Sequence, residues 1–334
     1  MFHSFTGVTA NEVWSKATEE LLKMQESTIK SRAGDTIELL HTMIHVEDPT
    51  QRWVTQRMPS VSVGFVLAEL IWILAGSNDA KVINYWNPAL PKFSGRDCVY
   101  HGAYGFRIRH NFGFDQLERA YLTLKNNPES RQTVISIWDP RIDYPDELGK
   151  PANDDIPCNI SSLLKVRDNR LEWTQIMRSN DIYLGLPYNF IQFTSLQEIL
   201  AGWLKIDVGS YCHYSDSLHL YCRDIPNIGI SKEVNIKNRD SLMVDKDECY
   251  SIVSQMYRNM VEIASGDLSE DELSKLSELE TNQIAYRNIM YIIALYAADK
   301  KGYENLSQKL QKKCKNDLYL YLWDAWKSRK IRGE

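Results

Sequence analysis

The chain has 334 residues, 43% of them hydrophobic and 25% charged, with a formal net charge of −5. Such a composition is globular and long enough for one large domain or two modest ones. The negative balance excludes a general attraction for nucleic acid, so a bound anion has to be met by a local cluster of arginines. The start, MFHSFTGVTANEVW, lacks the basic and apolar stretches of a signal, and no run of about eighteen apolar residues occurs, so a cytoplasmic protein without membrane contact is expected. Cys98, Cys158, Cys212, Cys222, Cys249 and Cys314 form no CxxC pair, which argues against a metal site or a disulfide framework and predicts reduced thiols.

In chain order, residues 9–24 carry a Thr cap and helical apolar spacing, and residues 61–76 form a nearly all-apolar helix stopped by Gly76. Burial of that helix on most sides makes its one acid, Glu69, expensive. Segments 132–138, 158–166 and 170–177 read as strands, the last two joined by a hairpin turn at Asp168-Asn169. A long apolar helix is expected over 188–205 and a short strand over 215–221. From about residue 240 the chain turns charged and helical. The expected fold is therefore α+β, two layers, a sheet packed against helices, with a main unit over 1–239 and a helical extension over 240–334 packed on it.

The stretch RSNDIYLGLPYNF, 178–190, sets Arg178, Ser179, Asn180, Asp181 and Asn189 within one strand-to-helix turn closed by Gly185 and Pro187. A guanidinium beside a serine in such a turn suits a phosphate, although a lone arginine is more often solvated or ion-paired. Combined with PCN at 157–159 and DSLHLY at 216–221, the order and spacing resemble the thymidylate synthase family from about residue 10 to 222.

The resemblance implies that family's mixed-sheet fold and an enzyme that transfers a one-carbon unit from 5,10-methylenetetrahydrofolate, without a metal, to carbon 5 of a uridine-type nucleoside monophosphate. Cys158 falls at the nucleophile position, where a thiolate attacks carbon 6 and is helped by neighbouring arginines; an isolated cysteine on a strand is otherwise a small buried hydrophobe. Asn189 matches the base-reading asparagine, whose amide fits oxygen 4 and nitrogen 3 of uracil, whereas Asp would suit cytosine. Glu69 matches the catalytic glutamate, with a burial-raised pKa useful for proton transfer. Tyr104 matches the tyrosine of a YGxxxR pattern ending at Arg109, and Asp181 the residue that contacts the pterin. His219 and Tyr221 match the pair holding the sugar hydroxyl. Arg32 and Arg131 match phosphate arginines, the second reaching across a symmetric homodimer. Trp86 or Trp72 would shield the intermediate beside the folate, Trp86 being taken as the folate contact.

Four departures bear on the product. Asn159 stands where the family has His after the nucleophile, and Gln132 replaces a second arginine after Arg131. The spacing from Trp86 to Tyr104 is longer than in the family, and a helical tail ending KIRGE stands in place of the short apolar C-terminal lid. An open site admits water, which would give a hydroxymethyl rather than a methyl product. The alternatives are a cytidylate hydroxymethylase, a catalytically silent relative that binds nucleotide or RNA, and a helical scaffold built on the tail.

Overall fold

The computed structural model describes residues 2–31 and 33–332, without the side chains of 329–332. β1 (His3–Gly7) leads to α1 (Ala10–Leu22), capped by Thr9, which accepts the amide of Glu12. Val13, Trp14, Ala17 and Leu21 line its buried face, the stripe that the spacing predicts. β2 (Thr36–Val46) follows, an element that the sequence did not suggest. Its buried residues change phase at His41, from Ile37 and Leu39 to Thr42, Ile44 and Val46, so no single alternation runs through it. His41 takes a left-handed φ of 53° there.

β3 (Arg57–Met58) is short and precedes α2 (Val63–Leu74), in which every residue except Glu69 is buried. Three short helices follow, α3 (Ala80–Asn84), α4 (Pro91–Ser94) and α5 (Tyr104–Arg109), then α6 (Gln116–Asn126). Gly105 lets α5 abut α2, since a β-carbon there would lie 2.3 Å from the carbonyl oxygen of Ile73. β4 (Val134–Ser136) and the turn of α7 (Pro140–Asp143) come next.

β5 (Asn159–Arg167) and β6 (Arg170–Met177) form the expected hairpin, with Asp168 and Asn169 both at positive φ. β7 (Asn180–Asp181) turns into α8 (Leu186–Leu204), and β8 (Asp207–Tyr221) returns through the centre of the sheet. β8 is twice as long as the strand expected over 215–221, because it changes face opposite His41 at Asp216: Tyr211 and His213 are buried before the switch, Leu218 and Leu220 after it. The sheet order is β1-β2-β8-β6-β5-β4, with β7 beside β8, and it mixes parallel and antiparallel pairs. A short β9 (Gly229–Ile230) pairs with β3. The fold is α+β, as the sequence predicts.

Five helices complete the described chain: α9 (Lys246–Ser265), α10 (Glu270–Leu276), α11 (Ile284–Lys301), α12 (Glu304–Lys313) and α13 (Asp317–Arg332). α11 lies flush on α2, where Gly64 admits Tyr296, whose side chain a β-carbon would meet at 2.9 Å. α2 is thus sandwiched between α8 and α11, which is why it can be apolar all round. Among the described residues no helix is long and apolar enough to cross a membrane.

Candidate functional site

The register Asn159↔Met177 sets Cys158, just before β5, opposite Arg178, just after β6, and the Arg178 amide donates to the Cys158 carbonyl at 3.0 Å. The Arg178 guanidinium is fixed by donation to the carbonyls of Pro157 (3.1 Å) and Ile156 (3.2 Å), leaving Nη2 3.9 Å from the half-buried Cys158 Sγ. Its other side covers the Trp138 ring at 5.5 Å. A positive charge held so close to a thiol favours its anion, the form a nucleophilic role would need.

Glu69 projects from α2 into a floor of protein. Burial raises its carboxyl to about 7, a rise only moderated by a 2.6 Å hydrogen bond from Gln192 Nε2. Because the carboxylate accepts, the Gln192 amide must turn its oxygen the other way, where it accepts from Asn189 Nδ2 at 3.1 Å. Asn189 is 5% exposed, and its Oδ1 is left buried without a partner. The relay from Glu69 through Gln192 thereby presents an acceptor at the position expected to read the base. Gln192 was missed in the sequence; its only signal is a polar side chain one helical turn beyond Asn189 on a helix read as largely apolar.

Tyr104 opens α5 near Cys158, Asn159 and Glu69; burial pushes its hydroxyl far up, and the charges of Cys158 and Glu69 add to the rise. Asn159 is wholly buried and accepts from Gln175 Nε2 at 2.8 Å, so the residue in the His position sits in a fixed amide network.

On the other flank, Ser179 Oγ lies 3.3 Å from His219 Nδ1, and the His219 and Tyr221 rings meet edge to face at 5.3 Å. Asp181 Oδ1 accepts the amides of Tyr183 (2.7 Å) and Leu184 (2.9 Å), which folds the turn into α8; burial raises its pKa and His219 partly opposes this. Arg57, also missed, sits beneath, its Nε donating to the Tyr183 carbonyl at 2.7 Å.

Two expected contacts are not brought to the site. The Asn180 side chain points into the core, 2.8 Å from His213 Nε2, so it supports the turn instead of facing Ser179. His213 is itself held neutral, burial lowering it to about 3. Trp86 is 1% exposed and donates to the Ile293 carbonyl at 3.1 Å, which leaves no ring face open for a folate. Trp72 likewise is buried and donates to Asp79. Arg131 is exposed between α6 and β4, and Arg32 lies outside the described residues.

A thiol beside a fixed guanidinium, a buried acid and an orphaned amide thus come together at the turn of a mixed sheet. The chain belongs to the thymidylate synthase family, whose pattern matches residues 14–295 and so runs well past the motifs that end at residue 222. It is similar to a deoxyuridylate hydroxymethyltransferase of Bacillus phage SP01, 30% identical over 66% of this chain and 60% of that protein. A protein of the same description from Pseudomonas phage M6 is 35% identical over 47% and 44%. A putative thymidylate synthase of Methanothermobacter marburgensis is 30% identical over 63% of this chain and 89% of that protein. The chain thus spans about half the length of the phage relatives it matches.

Proposed function

We propose that the chain transfers a one-carbon unit from 5,10-methylenetetrahydrofolate to carbon 5 of a uridine-type nucleoside monophosphate, deoxyuridylate first, and releases a hydroxymethyl product. The observation that carries the base assignment is the orphaned Asn189 Oδ1, which calls for a donor such as the N3–H of uracil, while the second Nδ2 hydrogen suits oxygen 4. Cytosine has no N3–H to give, so a cytidylate is the poorer fit.

In this reading Cys158 Sγ bonds to carbon 6 and the electron pair of the 5,6 double bond moves towards oxygen 4, making carbon 5 the nucleophile. The folate supplies the one-carbon unit. Glu69, with its pKa at about 7, moves protons around the ring. Tyr104, kept protonated by burial, is placed to orient the water that takes the carbon 5 proton; tetrahydrofolate then leaves an exocyclic methylene, water adds to it, and expulsion of Cys158 restores the double bond. Arg178 and Ser179 would hold the phosphate, with Arg32 and Arg131 adding to it, and His219 and Tyr221 the sugar hydroxyl. Asp181 fits a pterin N–H; Trp86 does not fit a folate contact.

Water capture of the methylene carbon is supported by Asn159 in place of a histidine and by the names of the two phage relatives. A homodimer is supported by the sheet face away from α8, which carries the half-buried Thr174, Ile176, Cys212 and Tyr214 and the exposed Leu40 and Val134. Mass spectrometry of products from uridine monophosphates and methylenetetrahydrofolate tests the proposal. Hydroxymethyl nucleotide with tetrahydrofolate is expected. Methylated nucleotide with stoichiometric dihydrofolate would make it a synthase, and no tritium release from carbon 5 of labelled uridylate would make it a silent binder.

A further inference from the structure

A cavity of about 650 Å³ lies outside the site, between α11, α12 and the segment joining α12 to α13. Five cations line it: Arg287 from α11, Lys309, Lys312 and Lys313 from α12, and Lys315 from the joining segment. Lys313 pairs with Glu278. The other four have no carboxylate within ion-pair distance among the described residues, and their hydrogen bonds go to neutral atoms: Arg287 to the Tyr291 hydroxyl (3.0 Å), Lys309 to Ser274 Oγ (3.3 Å), Lys315 to the Lys312 carbonyl (2.9 Å). Lysines in a last helical turn offset the helix dipole, which accounts for Lys312 and Lys313 alone. It leaves unexplained why Arg287, Lys309 and Lys315 converge on the same space in a chain of net charge −5.

One wall is tied down by hydrogen bonds. Asn288, 1% exposed at the base of the cavity, accepts the Lys315 amide at 2.9 Å and donates to both Asp240 oxygens, so the basic loop is pinned to α11. Four cations without a direct ion pair, with Glu278 reaching the same wall only through the Tyr291 hydroxyl and Lys313, face one concavity and match a compact cluster of negative charge, and the volume is that of a small-molecule site. We infer that this cavity binds the polyphosphate of a nucleoside triphosphate, with the exposed Ile284 at its rim as an apolar surface for the base. The site is independent of the reaction proposed above.

Titration calorimetry of the full chain with sodium tripolyphosphate and with a nucleoside triphosphate tests this. One saturable site per chain is expected for each, the two competing, and the triple variant Lys309→Gln/Lys312→Gln/Lys315→Gln should weaken both by about tenfold or more while keeping the parent melting temperature. If the triple variant unfolds, Lys312→Glu alone, on an exposed residue, must weaken binding. Binding unchanged in the variants would place the anion elsewhere, as at the catalytic arginines. A single-stranded oligonucleotide that binds where tripolyphosphate does not would make the patch a nucleic-acid surface; either result, or no saturable binding, overturns the inference.

Discussion

Replacing Gln192 by Leu removes the bridge between Glu69 and Asn189 while keeping volume and helix in a position only 3% exposed. The Gln192 bond stabilises the ionised Glu69, and so lowers a pKa that burial has raised to about 7. A hydrogen bond from an amide to a carboxylate is worth about 1.5–3 kcal/mol, and one pH unit is about 1.4 kcal/mol. With water partly replacing the lost donor, the Glu69 limb of the pH profile should therefore move up by about one unit. A limb that moves from about 7 to about 8 lowers the ionised fraction at neutral pH about fivefold. The Asn189 amide also loses its orientation, so KM for uridylate should rise about five- to tenfold, as for one lost buried hydrogen bond, and preference over cytidylate should fall. Both are read from kcat and KM across pH, following tritium release from carbon 5. An unshifted limb and unchanged base preference, in a variant that melts like the parent, would show that the relay orders nothing.

Cys158→Ser should lose turnover by several orders of magnitude and still bind nucleotide in equilibrium dialysis. Glu69→Gln should be inactive yet more stable above pH 7: a folded pKa of about 7 against 4.5 for a free glutamate means that this residue's contribution to stability is complete below about 4.5 and lost as pH rises through about 7, up to about 3 kcal/mol. Thermal melts of the two proteins should therefore diverge little at pH 5 and most at pH 8. Asn189→Asp should raise cytidylate use relative to uridylate, because a protonated carboxyl can donate to the cytosine N3 acceptor. For the dimer, mixing inactive Cys158→Ser with an inactive Arg131→Ala variant should restore activity, and a monomer in light scattering would end that idea.

The sequence was most informative where one period or one motif ran undisturbed. α1, α2 and α8 fell where apolar spacing put them, and the β5–β6 hairpin followed from Asp168-Asn169. β2 was invisible because it and β8 change face together at His41 and Asp216, and period-two reasoning fails across such a switch. Within the site, Arg178 beside Cys158 and Ser179 beside His219 are juxtapositions that the motifs anticipated. Gln192 escaped because its partner Glu69 is 123 residues away in sequence. For Asn180 and Trp86 a residue type says what it can bond, and only the packing says that His213 and the Ile293 carbonyl take those bonds in this structure.

Contacts made by three tryptophans across residue 240 predict that the two sides of that composition change fold as one unit. Trp53 packs on Tyr319 at 5.1 Å, Trp203 on Tyr250 at 5.3 Å, and Trp86 donates to Ile293, each at most 4% exposed. Across the same seam Glu198, paired with the buried Arg52, accepts the Leu242 amide at 2.9 Å, and Asn238 Oδ1 accepts from Asn316 Nδ2 at 3.2 Å. Uncovering the three rings would forfeit about 1.5–3 kcal/mol each, a sum comparable with the whole stability of a domain, about 5–15 kcal/mol. Breaking the polar seam adds to this, because buried acceptors would lose their donors. A fragment of residues 1–239 should consequently be insoluble or molten, without a cooperative melt, and α2 should lose amide-exchange protection although it lies wholly within the fragment. A fragment that melts cooperatively and binds nucleotide would refute this, and would restore the tail to the status of an appendage on a self-sufficient catalytic unit.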